Sequence, residues 1–416
     1  MTSPYRTFVK LGSNNDLSKL ELSTVLTKMD ITNINFLEWK KYILIDSNQL
    51  NQDKLSKQLD YTGSIVKAGN IEFSEAITDL DAFSKKSEIH LEKIIQKVQF
   101  QKSRKLKISI NIQTTSDQLK RSISKIIKRK ILKVCKDLFI QPKILASKKD
   151  SSELSPFQYY KENMVKRGIE ITCICIKSRI FFGYVQWVTN PLKDIKQDEE
   201  RPVRLFTHGT SIKLSRTLVN ISNISEKGVL LDPFCGTGTI LQEGLKRGMD
   251  VIGLDNDPKC VRASKENLHF FTMQHPPKEK IKDRWSITLQ DARNLSKIVQ
   301  TEIQGIVTEP YLGPFIKQLP PKEIAKKTMK DLERLYTIVL QEGSKNLIQN
   351  GRIIIIMPEY IYPSKESIAP DFIRIGEKAS LKLIMESKYF NVKLPLNIGR
   401  KHNIINRKLV VYWKNE

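Results

Sequence analysis

The stretch LLDPFCGTGTILQE, residues 230–243, sets a carboxylate at the end of an apolar run and places two glycines ahead of a helical pattern. Asp232 ends the run, and Gly236 and Gly238 let the backbone turn tightly and approach a ligand. A helix starting near Thr239 would turn its free first-turn amides toward that loop, and Gly248 caps its far end. Seventeen residues after Gly238, Asp255 closes the run DVIGLD, where a carboxylate can take the two hydroxyls of a ribose. The order of loop, helix, cap and acid describes a nucleoside site. It is not the GxGxxG spacing that admits a pyrophosphate, and an acid before CGTGT suits a ligand with an amino-acid head and no phosphates, as in S-adenosylmethionine. Asp291 and Ala292 in LQDARNL fall at the end of a third apolar run, where the adenine ring would lie. A fourth run ends in GIVTEPYLGPF, residues 305–315, whose Glu309, Pro310 and Tyr311 form either an ordinary turn or a reactive edge.

These residues need a scaffold. From Gly228 onward GVLLDPF, DVIGLD, WSITLQ, GIVTE and GRIIIIMP are short, β-branched runs separated by helical segments, which predicts a mostly parallel sheet covered on both faces. NIINRKLVVYWK would add a last, antiparallel strand. Upstream, LSKLELSTVLTKM has amphipathic helical spacing, YILIDS reads as a strand, KLKISINIQ alternates as a half-buried strand does, and GIEITCICIKSRIFFGYVQWVT reads as two strands. The expected division is an α+β unit over 1–80, a second unit over 81–190, a polar connection over 191–202, and the α/β domain over 203–416.

Composition narrows the partners. Lys and Arg number 70 against 45 Asp and Glu, a formal charge of +25, so an acidic partner is expected, nucleic acid first and an anionic membrane surface second. Residues 85–150 hold 19 Lys or Arg against 5 Asp or Glu, so +14 of the +25 lies in this one segment. Within it the helical pattern SDQLKRSISKIIKRKILKVCKDLF sets Lys120, Arg121, Lys125, Lys128, Arg129 and Lys130 largely off the apolar stripe, where a phosphate backbone can reach them. No apolar run is long enough to span a bilayer and no signal peptide is legible, so a cytoplasmic protein is expected. Five cysteines build no disulfide framework, Cys173 and Cys175 read as core residues of one strand face, and no metal site is expected from so few histidines.

LLDPFCGTGTILQEG, VIGLDND and LQDA resemble the cofactor motifs of class I S-adenosylmethionine-dependent methyltransferases, with their Rossmann-like, seven-stranded sheet. More narrowly they resemble the branch that carries an N-terminal THUMP domain and methylates the 2-amino group of guanosine-10 in tRNA. FVKLGSNNDLSKLELSTVL is similar to that family's first strand and helix, the segment 154–204 to the end of a THUMP domain with its exit linker, and THGTSIKLSRTLVNIS to the entry helix of the catalytic domain.

The resemblance implies that Asp232, Phe234, Cys235, Gly236, Gly238, Asp255, Asn256, Asp291 and Ala292 hold the cofactor. It also implies that the first 195 residues dock the acceptor end of a tRNA, and that the fourth strand ends at the methyl-acceptor site. Family members place Asp or Asn, two prolines and an aromatic there. This chain has Thr308, Glu309, Pro310 and Tyr311. Aligning strand ends puts Glu309 at the acidic position, whereas aligning the Pro-Tyr pair puts Thr308 there; the first keeps a carboxylate and is preferred. Glu309, Pro310 and Tyr311 are then the expected catalytic residues, with one extra methylene to accommodate. Methylation of ribosomal RNA, amino-methylation of DNA, and an RNA-binding protein that holds cofactor without turnover stay open. So do the modified nucleotide, the number of methyl groups, and the need for a small partner subunit.

Overall fold

The computed structural model describes residues 5–99, 105–145, 153–204, 210–274, 284–399 and 404–415. The chain forms two compact units, one of Met1–Gly12, Met29–Asp60 and Ile65–Ile195, the other of Ser13–Lys28, Tyr61–Ser64 and Lys196–Glu416.

In the first unit the strands β1 (Thr7–Leu11), β2 (Asn35–Trp39), β3 (Tyr42–Asp46), β4 (Ile65–Ala76), β5 (Lys105–Gln113), β6 (Gln141–Leu145), β7 (Gly168–Ile176) and β8 (Arg179–Val188) share one sheet in the order β2-β3-β1-β4-β8-β7-β5-β6. The segments 1–80 and 81–190 thus contribute to one continuous sheet through the antiparallel pairing of β4 with β8. The long helices of this unit, α3 (Leu80–Gln99) and α4 (Asp117–Asp137), bury Phe83, Leu91, Ile94, Ile123, Ile127 and Ile131 against Ile108, Ile110 and Ile112 of β5. Their apolar residues recur every three or four positions, so each helix offers one stripe to the sheet. The strand β5 differs from the half-buried expectation. Ser109 and Asn111 are also buried, and Asn111 donates to the Tyr42 hydroxyl at 3.1 Å. Lys67 is buried as well, its Nζ lying 2.7 and 2.9 Å from the two oxygens of buried Glu170, 3.0 Å from Glu153 and 2.7 Å from the Leu154 carbonyl. Such pairing is what allows an ammonium group to sit in a core. The short helices α2 (Gln52–Leu59), α5 (Pro156–Lys161) and α6 (Met164–Arg167) complete this unit.

The second unit begins with α1 (Asn15–Lys28), which clusters here and not with the strand that precedes it. Its Leu17 and Leu20 join the same core as Leu218 and Val219 of α8 (Ile212–Ile221). Buried Glu21 accepts hydrogen bonds from the amides of Gly63 at 3.0 Å and Ser64 at 2.8 Å, from the Ser64 hydroxyl, and from Asn220 Nδ2 at 3.4 Å. The segment 191–202, expected as a polar connection, is helical over α7 (Pro191–Glu200), started by a proline at its first position.

The central sheet of this unit runs through β9 (Val229–Asp232), β10 (Asp250–Asp255), β11 (Trp285–Leu289), β12 (Ile303–Thr308), β13 (Leu347–Ile361), β15 (Lys382–Leu383) and β17 (Ile405–Trp413) in the order β11-β10-β9-β12-β13-β17-β15. β11 through β13 pair in parallel, β17 is antiparallel to β13, and the two-residue strands β14 (Ser367–Ile368) and β16 (Leu396–Asn397) hang on β13 and β17. Successive strand residues face opposite sides: Leu230, Ile354 and Ile356 enter the core shared with α1, α8, α9 (Thr239–Lys246) and α10 (Pro258–Gln274). Leu231, Ile353, Ile355 and Met357 enter the other, with α11 (Leu295–Ile298), α12 (Lys322–Asn346) and α13 (Phe372–Lys378). Continuous burial on both faces explains why these strands read as apolar runs without alternation. The sheet order reverses between β9 and β12, the kind of switch point at whose strand C-terminal ends open α/β sheets bind their ligands.

Candidate active site

The loop after β9 is held from two sides. Asp232 ends the strand almost fully buried, and its Oδ1 accepts from the Phe234 amide at 3.1 Å and from the Thr308 hydroxyl at 2.7 Å. Thr308 is the last residue of β12, so this bond ties the tip of one central strand to the next. Burial, with the nearby charges of Asp255 and Glu309, raises the Asp232 carboxyl to about 7 in spite of its two hydrogen bonds. Gly236 and Gly238 take positive φ values of 52° and 81°, and a Cβ on Gly238 would sit 2.6 Å from Ser264 Oγ, so this turn requires glycine. Gly238 caps α9, which leaves the first-turn amides of that helix at the loop.

Asp255 ends β10 half-buried, its two oxygens accepting from the amides of Gly236 and Asp257, each at 2.9 Å. An ionised carboxylate has about four acceptor sites, so two remain for a ligand's hydroxyl pair. Asn256 beside it is exposed. The expected Asp291 lies just past β11, where its carboxylate accepts from the Arg293 amide and guanidinium, which holds it below the usual range. Its side chain is thus committed to a local turn, while Ala292 is buried beside it. The Cys235 side chain is buried in the core beneath the loop, burial pushes its thiol well up, and its backbone amide and carbonyl bond Leu254 and Gly238. Phe234 is half-buried.

At the tip of β12, Glu309 is half-buried and anchored at both oxygens. The Thr210 hydroxyl donates to Oε2 at 2.7 Å, and Nη2 of Arg407 lies 2.9 Å from Oε1. Pro310 is buried, whereas Tyr311 is 57% and Phe315 91% exposed, so two aromatic side chains of this loop stand in solvent. The loop is held from below by the buried Tyr336 of α12, whose hydroxyl donates to the Tyr311 carbonyl at 2.6 Å, and Gly313 turns it at φ 104°. Thr210, Tyr336, Phe315 and Arg407 were not singled out from the sequence, and Thr308 was named there only as an alternative to Glu309. Thr210 and Arg407 lie about a hundred positions from Glu309 in opposite directions, and no local pattern connects residues that far apart.

In the first unit, Arg121, Lys125, Lys128 and Arg129 of α4 are exposed and Lys120 is partly so. Lys130 departs from the expectation of a phosphate-facing residue. It is largely buried and ion-paired with Glu88 of α3, which also takes Lys133 and is thereby held down to about 2. Lys105, Lys107, Lys143 and Arg167 line a separate cleft along β5 and β6. Among the described residues no group of three or more His, Cys, Asp or Glu could hold a metal ion, and no helix is long and apolar enough to cross a membrane.

The chain has relatives of known kind. A tRNA (guanine(10)-N2)-dimethyltransferase of Methanothermobacter thermautotrophicus is 30% identical over 173 residues, 42% of this chain and 45% of that protein. The tRNA (guanine(10)-N(2))-methyltransferase of Saccharomyces cerevisiae is 24% identical over 262 residues, 56% of each. The chain spans about half the length of the curated relatives it matches. Among solved structures, TrmN of Thermus thermophilus superposes with a TM-score of 0.52 at 12% identity, covering 98% of this chain and 99% of that one, a likeness of fold. Residues 201–367, from just after α7 to the start of β14, match the family model described as UPF0020: RMKL-like, methyltransferase domain.

Proposed function

We propose that the protein transfers a methyl group from S-adenosylmethionine to the exocyclic amine of a guanosine in tRNA. The observation that carries this reading is the placement of Glu309 one strand away from the Asp232 loop, tied to it through the Thr308–Asp232 hydrogen bond. The donor set fits the cofactor. Asp232 and the first amides of α9 suit the amino-acid head, Asp255 the ribose hydroxyls, and buried Ala292 a wall for the adenine. Bound there, the cofactor supplies a sulfonium methyl whose bonding electron pair stays with sulfur on transfer.

The residues of the chain do the rest. The guanine amine is a poor nucleophile because its lone pair is delocalised into the ring, so it needs acceptors for its N–H groups as the nitrogen approaches the methyl carbon. Glu309 provides them, together with a backbone carbonyl of the Glu309–Pro310 turn, and Tyr311 offers an exposed ring on which the base stacks. As the new N–C bond forms, the surplus amine proton leaves through Glu309 to water. Orientation and electrostatics provide the rate, with no covalent intermediate. The segment 81–190 acts as a THUMP domain with the tRNA acceptor end as its ligand, met by the exposed cations of α4. Names of the relatives, which specify position 10, make that guanosine the first to test.

Methyl transfer from labelled cofactor to unmodified tRNA, ribosomal RNA and duplex DNA tests the reading, followed by digestion and mass spectrometry of the product. Label in tRNA as N2-methylguanosine is expected. Label confined to DNA or ribosomal RNA, or cofactor binding without transfer to any of the three, overturns it.

A further inference from the structure

Glu309 stands where the resembling enzymes carry a shorter side chain, and the structure shows what meets its added length. Arg407 sits on β17, opposite Pro358 of β13, while Glu309 follows the end of β12. β13 lies between them, so the pair bridges two inter-strand spacings, each about 4.8 Å. The Glu309 carboxylate and the Arg407 guanidinium close that span at 2.9 Å across the strand ends. An aspartate at 309 would fall short by about one carbon–carbon bond, ~1.5 Å. Thr210 approaches from the other side and takes the second oxygen at 2.7 Å. Each carboxylate oxygen then carries one partner from the protein and keeps an acceptor site for a substrate N–H. The surroundings also favour a cation there, because the charges of Asp255 and Glu309 are both felt at Asp232.

We infer that Arg407 is the positioning residue of the acceptor site: with Thr210 it clamps the Glu309 carboxylate in the one orientation that presents an open acceptor on each oxygen to the substrate amine. Glu309 and Arg407 are a matched pair, the longer acid reaching the cation that orients it. Arg407 acts through Glu309 and touches neither methyl donor nor acceptor. This rests on the methyl-transfer reading above.

A double-mutant cycle tests it, using the full chain, unmodified tRNA and labelled S-adenosylmethionine in single turnover. Arg407→Gln should lower the transfer rate about 10- to 100-fold. Cofactor and tRNA dissociation constants should stay within about threefold of the parent, the limit expected when ground-state binding is untouched. Arg407→Lys should recover part of the loss, since it restores charge without the fork. Glu309→Asp should lose rate as Arg407→Gln does. In a Glu309→Ala background, Arg407→Gln should cost almost nothing further, because the carboxylate it orients is gone. Thermal unfolding of each variant separates loss of fold from loss of rate, and Arg407→Lys carries the test if Arg407→Gln does not fold. A parental rate in Arg407→Gln, a loss that appears only as weaker tRNA binding, or a full further loss in the Glu309→Ala background overturns the inference alone. A parent that transfers methyl to no nucleic acid overturns the methyl-transfer reading and this inference with it.

Discussion

Asp232 joins the glycine loop after β9 to the tip of β12, and its burial has a consequence for pH. Its folded-state value of about 7 lies above the ordinary aspartate value of 3.8, so the folded protein without ligand binds a proton that the unfolded chain releases. The sign follows: stability from this group is intact below about 4 and falls as pH rises toward 7, by up to about 4 kcal/mol at 1.36 kcal/mol per unit. Asp232→Asn removes the titrating group. Urea unfolding should show the variant gaining on the parent at pH 8 relative to pH 5, while in the proposed function cofactor affinity should drop, because the acid assigned to the amino-acid head is lost. An unchanged difference between the two pH values would sink this account. Asp255 carries a different load, since it closes the loop through the Gly236 amide and, in the proposed function, takes the ribose hydroxyls. Asp255→Ala should weaken cofactor binding about 10- to 100-fold, the value of hydrogen bonds to a charged group, as read by calorimetry. Of the site residues, the glycines and these acids were legible because they lie within 24 positions of one another, in an order that only a strand–loop–helix–strand unit produces. Arg407 and Thr210 were not, because what makes them functional is a contact.

Helix α4 is the element on which the nucleic-acid reading is measured. Of the stripe expected from spacing, Ile123, Ile127, Ile131 and Val134 are buried and Leu119, Ile126 and Leu138 partly so, and the N-terminus is capped by the Ser116 hydroxyl accepting from the Leu119 amide. The cations around it divide in two. Lys128 and Arg129 are solvent-facing and free to meet phosphates, whereas Lys130 is drawn under by Glu88 of the neighbouring helix. Neutralising Lys128 and Arg129 together should weaken tRNA binding and reduce the slope of log affinity against log salt by about 2, roughly one per cation. Lys130→Gln should leave that slope nearly unchanged and lower thermal stability slightly. Filter binding across a salt series distinguishes the two outcomes, and an unchanged slope in the double variant would return α4 to the role of a solvated helix. Periodicity placed all three cations off the apolar stripe. It carried no information about the acid on α3 that one of them meets.

At the scale of the whole chain, the partition into units is not a cut along the sequence. The helix α1 and residues 61–64 cluster with the second unit although strands of the first flank them on both sides. Glu21 is the pin: burial raises its carboxyl, and the backbone amides of Gly63 and Ser64 together with the Ser64 hydroxyl satisfy it. Glu21→Leu should leave those part-buried amides without their acceptor and destabilise the protein by up to about 6 kcal/mol, at most about three for each of the two amides. A chain beginning at residue 196 loses Leu17, Leu20 and this pin, and uncovers the α8 face they pack on. Such a fragment is expected to aggregate or melt well below the full chain, and a fragment as stable as the parent in calorimetry would contradict the assignment of α1 to this unit.

The sequence by itself determined the local units: apolar runs that become parallel strands, a glycine turn that opens a helix, an acid at each strand end, and a basic helical face. Each is written in consecutive residues, because hydrogen bonding within an element and side-chain period act over a few positions. Only the tertiary structure decided that β4 and β8 join two expected units in one sheet, that α1 leaves the strand before it to cover the other unit, that Glu88 removes Lys130 from the solvent face, and that Arg407 and Thr210 grip Glu309. Those depend on which element lies beside which, a matter of packing between segments about forty to two hundred positions apart that no local pattern encodes.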